Sequence, residues 1–419
     1  MLIEFSVENF RSFRERQTIS MVAAPRMLKR GNVFKPQLKE KKFPGLLKVA
    51  VIYGPNASGK SNLLKALSVL RSLVNRSPND LTELPVVPFK FDSALAIAPS
   101  RFDVHFVADE MRYQFEVGLT SDRIHHERLV AFPKGIEVLL YERNHHADGD
   151  IYKIGDALEG GEDLINAWQK LTSPTMLFIS QAVANSQEQL TQLRKPFNWL
   201  STGTRTVLNG MDDLSKWARE IAVEQAGVAA EIAEFLREVD VPISRLKVEP
   251  HSSEKLNELS LNSLSNASQK VRFSGATKST FTHKTALGEA DLTYAEQSEG
   301  TKNLIGFWLP WSLKNFKHNP ASLLVVDELD SSLHPLIVEA LVEKHLAAEI
   351  TTQLIFSTHD THLLDSKLLR RDQIWITDRD MNGATQLHSV HEYEGRDSED
   401  VEKRYFEGRY RGLPFVSRG

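Results

Sequence analysis

The sequence predicts an α/β fold of two lobes, with an antiparallel β subdomain in the first lobe and a short helical insertion. A run at 46–53 that is apolar except for Lys48 precedes a glycine-rich loop and an amphipathic helix. A buried strand followed by a loop and a helix is typical of α/β units. An apolar run at 322–326, a helical pattern at 333–350 and another apolar run at 353–356 repeat this alternation. These two segments predict the two lobes.

Antiparallel strands are predicted for the rest of the first lobe. Residues 2–8 alternate between apolar and polar side chains, and a second β-like run at 17–22 follows the turn NFRSF at 9–13. This spacing predicts a hairpin. Alternating segments separated by short polar turns continue from 101 to 154. They indicate an antiparallel meander.

A helical pattern occupies 212–241, where apolar residues recur at steps of three and four until Pro242. Residues 251–269 are rich in Ser and Asn and predict a loop. We therefore expect lobe I at 1–185, a helical insertion at 186–250 and lobe II at 251–419.

Composition excludes several classes of protein. The chain has 419 residues, 41% of them apolar, and a net charge of −4, so any contact with nucleic acid is expected to be local. It has no cysteine, which excludes disulfides, thiolate zinc sites and cysteine nucleophiles. No apolar run reaches the roughly 18 residues of a membrane span, and the first residues are unlike a signal peptide. We expect a cytoplasmic protein without a membrane partner.

The loop GPNASGKS at 54–61 matches the P-loop pattern G-x-x-x-x-G-K-[ST]. Its backbone N–H groups cradle phosphates, Lys60 reaches the β- and γ-phosphates, and Ser61 binds Mg²⁺. The expected cofactors are therefore ATP and Mg²⁺. The residues expected to contact the nucleotide here are Gly54, Asn56, Ala57, Ser58, Gly59, Lys60, Ser61 and Asn62.

Two further motifs follow apolar strands. In LLVVDELD, Asp327 is expected to bind Mg²⁺ and Glu328 to polarise an attacking water. Two carboxylates after a strand are otherwise often a solvated turn, but a P-loop in the same chain favours the catalytic interpretation. His359 in STHD follows the next strand, where open α/β sheets bind ligands. It is a candidate sensor of the γ-phosphate.

Five motifs in order carry a family resemblance: NFRSF, GPNASGKS, QSEGTK at 297–302, VVDELDSSLHP and STHD. Their order resembles that of ABC-type ATPases of the SMC/RecF/OLD branch, which implies a two-lobed P-loop ATPase head. The resemblance implies further roles. Ser298 and Gly300 belong to the signature motif, Asp330 to the D-loop and Arg11 to the nucleotide site. His359 is the switch histidine, and Gln181 contacts Mg²⁺. A lone Gln after an apolar run is more often a plain helix or loop residue.

The signature motif departs from the LSGGQ of transporter ATPases, because Glu299 and Thr301 replace two of its positions. Ser298 and the first amides of the following helix can still present donors and a positive helix end to a phosphate. Within the branch, the chain resembles stand-alone ATPases of bacterial anti-phage abortive-infection modules, namely AbiL-type (RloA-like) proteins and the ATPase of the PARIS system.

This resemblance implies a homodimer that binds and hydrolyses ATP and regulates a separately encoded effector. Sixty residues follow His359, too few for the Toprim nuclease domain of OLD-family proteins, so we expect the nuclease in a partner chain. The helical insertion is a candidate docking element. So is an aromatic strip in the tail around Tyr405, Phe406 and Tyr410, unless it packs against lobe II. The alternatives are a RecF/SMC-like DNA-binding ATPase of repair or replication and, less favoured, a transporter motor.

Overall fold

The computed structural model describes residues 1–40, 42–77, 80, 82–187, 189–208, 210–250, 277–312, 322–347, 352–364, 368–396 and 399–413. The loop predicted at 251–269 lies outside these residues. The strands are β1 (Leu2–Glu8), β2 (Gln17–Ser20), β3 (Val33–Phe34), β4 (Leu46–Leu47), β5 (Val49–Tyr53), β6 (Ser100–Ala108), β7 (Met111–Leu119), β8 (Ile124–Ala131), β9 (Val138–His146), β10 (Gly149–Ile154), β11 (Thr204–Val207), β12 (Ile243–Pro250), β13 (Thr277–Thr285), β14 (Gly288–Thr293), β15 (Leu323–Val326), β16 (Gln353–Ser357), β17 (Ile374–Arg379) and β18 (Thr385–Ser389). The α-helices are α1 (Lys60–Val74), α2 (Gly161–Leu171), α3 (Phe178–Ala184), α4 (Arg194–Asn198), α5 (Asp212–Glu224), α6 (Val228–Glu238), α7 (Glu299–Ser312), α8 (Pro335–Ala347) and α9 (Val401–Phe406).

The chain forms two compact units. The first contains 1–208, 318–330 and 338–419, and the second contains 209–317 and 331–337. Strand β11 belongs to the first unit because it pairs in parallel with β15. The expected boundaries at residues 185 and 250 separate lobe I, the helical insertion and lobe II. They stay a prediction.

A seven-stranded antiparallel sheet in the first unit has the order β10-β9-β8-β7-β6-β1-β2. The predicted hairpin is present, with Glu4 opposite Ser20 and Val7 opposite Gln17. The predicted meander supplies β6 to β10. One face of each long strand is buried, since alternate residues such as Phe102, Val104 and Phe106 point into the core.

The second sheet of this unit has the order β11-β15-β16-β5-β17-β18, parallel except for β17 with β18. Every residue of β5 and of β15 is buried, which explains their uninterrupted apolar sequences. Strands β5, β15 and β16 point the same way. Their carboxyl ends therefore share one edge of the sheet, where the three predicted motifs begin. This arrangement confirms the predicted α/β fold class.

The second unit combines a three-stranded antiparallel sheet, β12-β13-β14, with α5, α6 and α7. The predicted helix at 212–241 forms, but as two helices, because Gly227 adopts φ +95° and caps α6. The three strands were not predicted, since β14 is almost wholly exposed and lacks an apolar face.

The C-terminal segment packs into the first unit through its tyrosines. Tyr405 is 6% exposed and donates a hydrogen bond of 2.9 Å to the Gly412 carbonyl, and Tyr410 is 1% exposed. Phe406, by contrast, is 59% exposed. The predicted aromatic strip is therefore mainly core, in agreement with the packing alternative. Among the described residues, no helix combines the length and apolar character that a membrane crossing requires.

Candidate functional site

The P-loop joins β5 to α1 with backbone angles that glycine supplies. Gly54 has φ +147° and Gly59 φ +111°. A Cβ on Gly54 would lie 2.3 Å from the Thr377 carbonyl oxygen, and one on Gly59 would lie 2.1 Å from Thr385 Oγ1. Both positions therefore need glycine for space as well as for conformation. The Lys60 ammonium lies within the curve of the loop and donates to the carbonyls of Gly54 at 2.7 Å and Pro55 at 3.2 Å.

Two threonines that sequence reasoning missed hold the loop from outside. Thr377 on β17 and Ser58 share a hydrogen bond of 2.6 Å between their hydroxyls, and Thr377 donates to the Tyr53 carbonyl at 3.1 Å. Thr385 on β18 donates to the Ser58 carbonyl at 2.8 Å. No local motif marks these threonines, because only the pairing of β17 with β5 brings them to the loop.

The NFRSF turn contacts the P-loop helix. Ser12 Oγ accepts a hydrogen bond from Asn62 Nδ2 at 2.8 Å and lies within hydrogen-bond distance of Thr385 Oγ1, at 2.7 Å. The adjacent Arg11 has φ +52°, is exposed, and donates its main-chain N–H to Val87 O at 2.7 Å. Arg11 is therefore adjacent in sequence to a residue bonded to Asn62, and its contact with a nucleotide stays a prediction.

The carboxylates expected to act on Mg²⁺ and water follow β15 directly. Ser357 Oγ, at the end of the neighbouring strand β16, donates to Asp327 Oδ1 at 2.5 Å and accepts the Glu328 N–H at 2.8 Å. Glu328 has φ +52°, a left-handed conformation that costs a residue with a Cβ about 1 to 3 kcal/mol. Strain of this size at a carboxylate is typical of functional sites.

Asp330 and His359 are also brought together. The His359 N–H donates to Asp330 Oδ2 at 3.2 Å. The D-loop residue therefore contacts the switch segment, STHD at 357–360. His359 also lines a cavity of about 490 Å³ together with Gly54, Asn56, Tyr53 and residues of the C-terminal segment. Burial, followed by the charges of Asp360 and Asp330, raises the pKa of Tyr53 well above its ordinary value.

The electrostatic surroundings of Lys60 link the two motifs. Burial lowers the pKa of Lys60, and the charges of Asp327, Glu328 and Asp330 oppose that shift. Three carboxylates near one buried ammonium indicate that the P-loop and the residues after β15 form one site. The phosphates of a bound ATP would interact with the same Lys60 ammonium as these carboxylates.

The signature residues lie in the second unit, at the start of α7. Ser298 caps the helix, since its Oγ accepts the Thr301 N–H at 3.1 Å and pairs with Thr301 Oγ1 at 2.9 Å. Gly300 lies close to Ser332 of the same unit, because a Cβ on Gly300 would lie 2.7 Å from the Ser332 carbonyl oxygen. Asn303 Nδ2 donates to the Ser331 carbonyl at 2.9 Å. The start of α7 therefore packs against residues 331–332.

Gln181 lies inside α3 and is 8% exposed. Within the described chain, no hydrogen bond connects its side chain to the P-loop or to Asp327, so its Mg²⁺ role stays a prediction. Helix α3 is held by a buried carboxylate: Glu127 accepts the N–H groups of Phe178 at 2.8 Å and Ile179 at 3.2 Å. Burial raises the pKa of Glu127, against the charge of Arg143 at 3.8 Å.

The residues present fit a bound Mg-ATP. The P-loop leaves no room for a Cβ at its two glycines, and Lys60 is already aimed into the loop. No cluster of three or more histidines and acidic residues that could hold a metal occurs in the described part of the chain. Mg²⁺ characteristically binds one or two protein ligands plus nucleotide phosphates. Ser61 and Asp327 would be those protein ligands, and the ion would neutralise phosphate charge.

Comparison with known proteins shows the family. Two solved structures cover 93% of the chain with TM-scores of 0.40: an SMC head domain from Thermotoga maritima, at 15% identity over 98% of that chain, and the crystal structure of the SmcHead bound to the C-winged helix domain of ScpA, at 14% identity over 97% of that chain. No curated protein is similar enough to count as a relative. The family described as "AAA domain, putative AbiEii toxin, Type IV TA system" matches residues 49–365. Because this match covers well over half of the sequence, including the residues predicted to form the P-loop, the signature, the two carboxylates and the switch histidine, the chain belongs to this family of AAA ATPase domains.

Proposed function

We propose that the chain is a Mg²⁺-dependent ATPase that converts ATP and water into ADP and phosphate, and that it uses this cycle to control a separately encoded effector. One observation supports the enzymatic part above the others. A single edge of the parallel sheet gathers the buried ammonium of Lys60, the strained carboxylate Glu328 and the segment of His359. These groups supply phosphate binding, a water-polarising base and a γ-phosphate contact.

Each residue has a definite task in this proposal. Lys60 and the P-loop amides bind the phosphates, while Ser61 and Asp327 hold Mg²⁺, with Gln181 as a further expected ligand. Glu328 accepts the proton of the attacking water, and His359 binds the γ-phosphate. Arg11 and Asn62 contact the nucleotide from the side of the NFRSF turn.

We propose that two copies complete each site. Ser298 at the start of α7 would present its hydroxyl and the helix amides to the γ-phosphate held by a second copy, and Gly300 would allow the close approach. Mg-ATP would then stabilise the closed homodimer, and hydrolysis would remove the contacts that hold it. The capping geometry of Ser298 supports this, because it fixes the hydroxyl at the positive end of α7.

The proposed output is regulation of a toxin-like effector in anti-phage defence, with a Toprim-type nuclease as the expected partner. The description of the family, which names a toxin and a type IV TA system, supports this role. The alternative is a RecF/SMC-like role on DNA. In the described residues we find no second set of nucleophile, base and metal ligands that would supply an effector activity of its own.

Co-purification tests the proposal. The protein is expressed with its genomic neighbours and isolated with ATP, with ADP, and as the Glu328→Gln variant. We expect one neighbour to co-purify, in an amount that depends on the nucleotide. If no neighbour binds in any state and the ATPase alone protects cells from phage or binds DNA with a steep salt dependence, the regulatory role is wrong.

A further inference from the structure

We infer that Ser357 is a positioning residue that aligns both carboxylates of the ATPase site and couples them to the switch histidine. This inference rests on the proposed ATPase function. Ser357 is the last residue of β16 and is fully buried. It lies two positions before His359 and faces the loop that follows the neighbouring strand β15.

Three hydrogen bonds join Ser357 to three consecutive residues of that loop. Its Oγ donates to Asp327 Oδ1 at 2.5 Å and accepts the N–H of Glu328 at 2.8 Å. Its carbonyl accepts the N–H of Leu329 at 3.0 Å. One residue therefore fixes the rotamer of the metal-binding carboxylate and the main chain of the water-polarising one.

The backbone of Glu328 explains why such support is needed. At φ +52° its main chain is in the left-handed region, which a residue with a Cβ leaves readily unless its surroundings hold it. Ser357 Oγ accepts the Glu328 N–H at 2.8 Å and so holds the peptide group that precedes the left-handed residue. Without the hydroxyl, Glu328 would be free to relax, and Asp327 would lose its fixed orientation.

The same strand end carries the link to the switch. Thr358 donates its N–H to the Ile52 carbonyl at 3.2 Å, and His359 donates its N–H to Asp330 Oδ2 at 3.2 Å. Residues 357–359 therefore contact the loop at 327–330 and the strand that leads into the P-loop. A movement of His359 toward a γ-phosphate would be transmitted through Ser357 to Asp327 and Glu328.

Three variants test the inference in the full-length protein. Ser357→Ala removes the hydroxyl, and Ser357→Thr keeps it on the same carbon. Ser201→Ala is the matched control, because Ser201 is also a buried serine of the first unit, donating at 2.5 Å to Asn75 Oδ1 beyond the far end of α1. The measurements are kcat, the Mg²⁺ concentration for half-maximal rate, and ATP affinity by calorimetry with and without Mg²⁺.

For Ser357→Ala we expect kcat to fall, and the Mg²⁺ requirement to rise, by about 10- to 100-fold, which is the usual effect of losing a group that orients a metal ligand. ATP affinity without Mg²⁺ should stay within about twofold, since the P-loop is intact. Ser357→Thr should restore most of the activity, and Ser201→Ala should resemble the unmodified protein.

Ser357→Thr is informative only if the extra methyl group fits at position 357. A double-mutant cycle tests the inference without that variant. Because part of the inferred effect of Ser357 acts through Glu328, Ser357→Ala should lower kcat by a smaller factor in the Glu328→Gln background than in the wild type. Three results would overturn the inference. They are full additivity in the cycle, an unchanged Mg²⁺ requirement in Ser357→Ala, and a loss of metal-free ATP affinity in Ser357→Ala as large as its loss of kcat. A wild-type protein that neither binds nor hydrolyses ATP would overturn the proposed function itself.

Discussion

The main-chain N–H of His359 donates a 3.2 Å hydrogen bond to Asp330 Oδ2, which joins the switch segment to the D-loop. Residue 330 closes one stretch of the first compact unit, and residues 331–337 belong to the second unit. The switch histidine is therefore bonded to the residue immediately before the chain changes units.

Lys60→Ala should abolish nucleotide binding. The ammonium is held inside the P-loop by the carbonyls of Gly54 and Pro55, and loss of such a preorganised group costs about 100-fold or more. Calorimetry with ATP measures the affinity. Lys65→Ala, on the same helix, is the control and should bind normally. Unchanged ATP affinity in Lys60→Ala would refute the P-loop assignment.

Glu328→Gln should bind ATP as the wild type does and hydrolyse it about 10²- to 10⁴-fold more slowly, since the amide keeps the shape but cannot accept the proton. A longer-lived closed dimer should follow, which size-exclusion chromatography with ATP detects. Glu343→Gln, an exposed residue of α8, is the control. A normal rate in Glu328→Gln would move the base to another residue, His359 first.

Ser298→Arg should impair hydrolysis by placing bulk and charge where a second copy would dock, while its own P-loop still binds ATP. Mixing Ser298→Arg with Lys60→Ala gives heterodimers that retain one site with an intact P-loop and an intact signature. Partial ATPase activity should therefore return in the mixture. If heterodimers form and no activity returns, either the shared-site proposal fails or the two sites are strictly coupled.

Gly59→Ala should lose ATP binding because a Cβ there would meet the Thr385 side chain at 2.1 Å. Gly149→Ala is the matched control, since Gly149 also has a positive φ, +123°, but no atom lies within 4 Å of its added Cβ. That change should cost only the backbone strain, about 1 kcal/mol. Thermal unfolding and calorimetry separate the two effects, and equal ATP affinities in both variants would contradict the steric explanation.

Arg143→Leu should lower the free energy of unfolding by about 3 to 5 kcal/mol, because it leaves the buried carboxylate of Glu127 without its cationic partner and removes one partner of Asp150. Arg143 is 1% exposed and donates to Asp150 Oδ2 and to the Met176 carbonyl, both at 2.8 Å. Arg409→Leu removes an exposed pair with Glu407 and should cost about 1 kcal/mol or less. Similar losses in denaturant unfolding of both variants would show that burial of Arg143 contributes little.

The elements that the sequence predicted have strong periodicity or sharp boundaries. The uninterrupted apolar runs before Gly54 and Asp327 predicted buried parallel strands, and the structure has them as β5 and β15. Alternation predicted the meander. The three-stranded sheet of the second unit escaped prediction because β14 has nearly uniform exposure, so its sequence contains no alternation.

The site was predictable only where residues are adjacent in sequence. Lys60, Asp327 and Glu328 lie in local motifs, whereas Thr377, Thr385 and Ser357 act through pairing between distant strands. A single Ser or Thr within a strand belongs to no sequence motif, so nothing in the sequence distinguishes it from other Ser or Thr residues. The DELD motif likewise does not reveal that Glu328 is left-handed, or that its N–H is bonded to Ser357, about thirty positions away in the sequence.

The close approach of Gly300 to the Ser332 carbonyl has an evolutionary consequence. A methyl group at position 300 would lie 2.7 Å from that oxygen, so the first turn of α7 and the residues after Asp330 cannot vary independently. We expect relatives that carry alanine or a larger residue at 300 to have a different backbone path at 332, often with a compensating glycine or a deletion. Two short motifs about thirty residues apart would then be inherited as one unit.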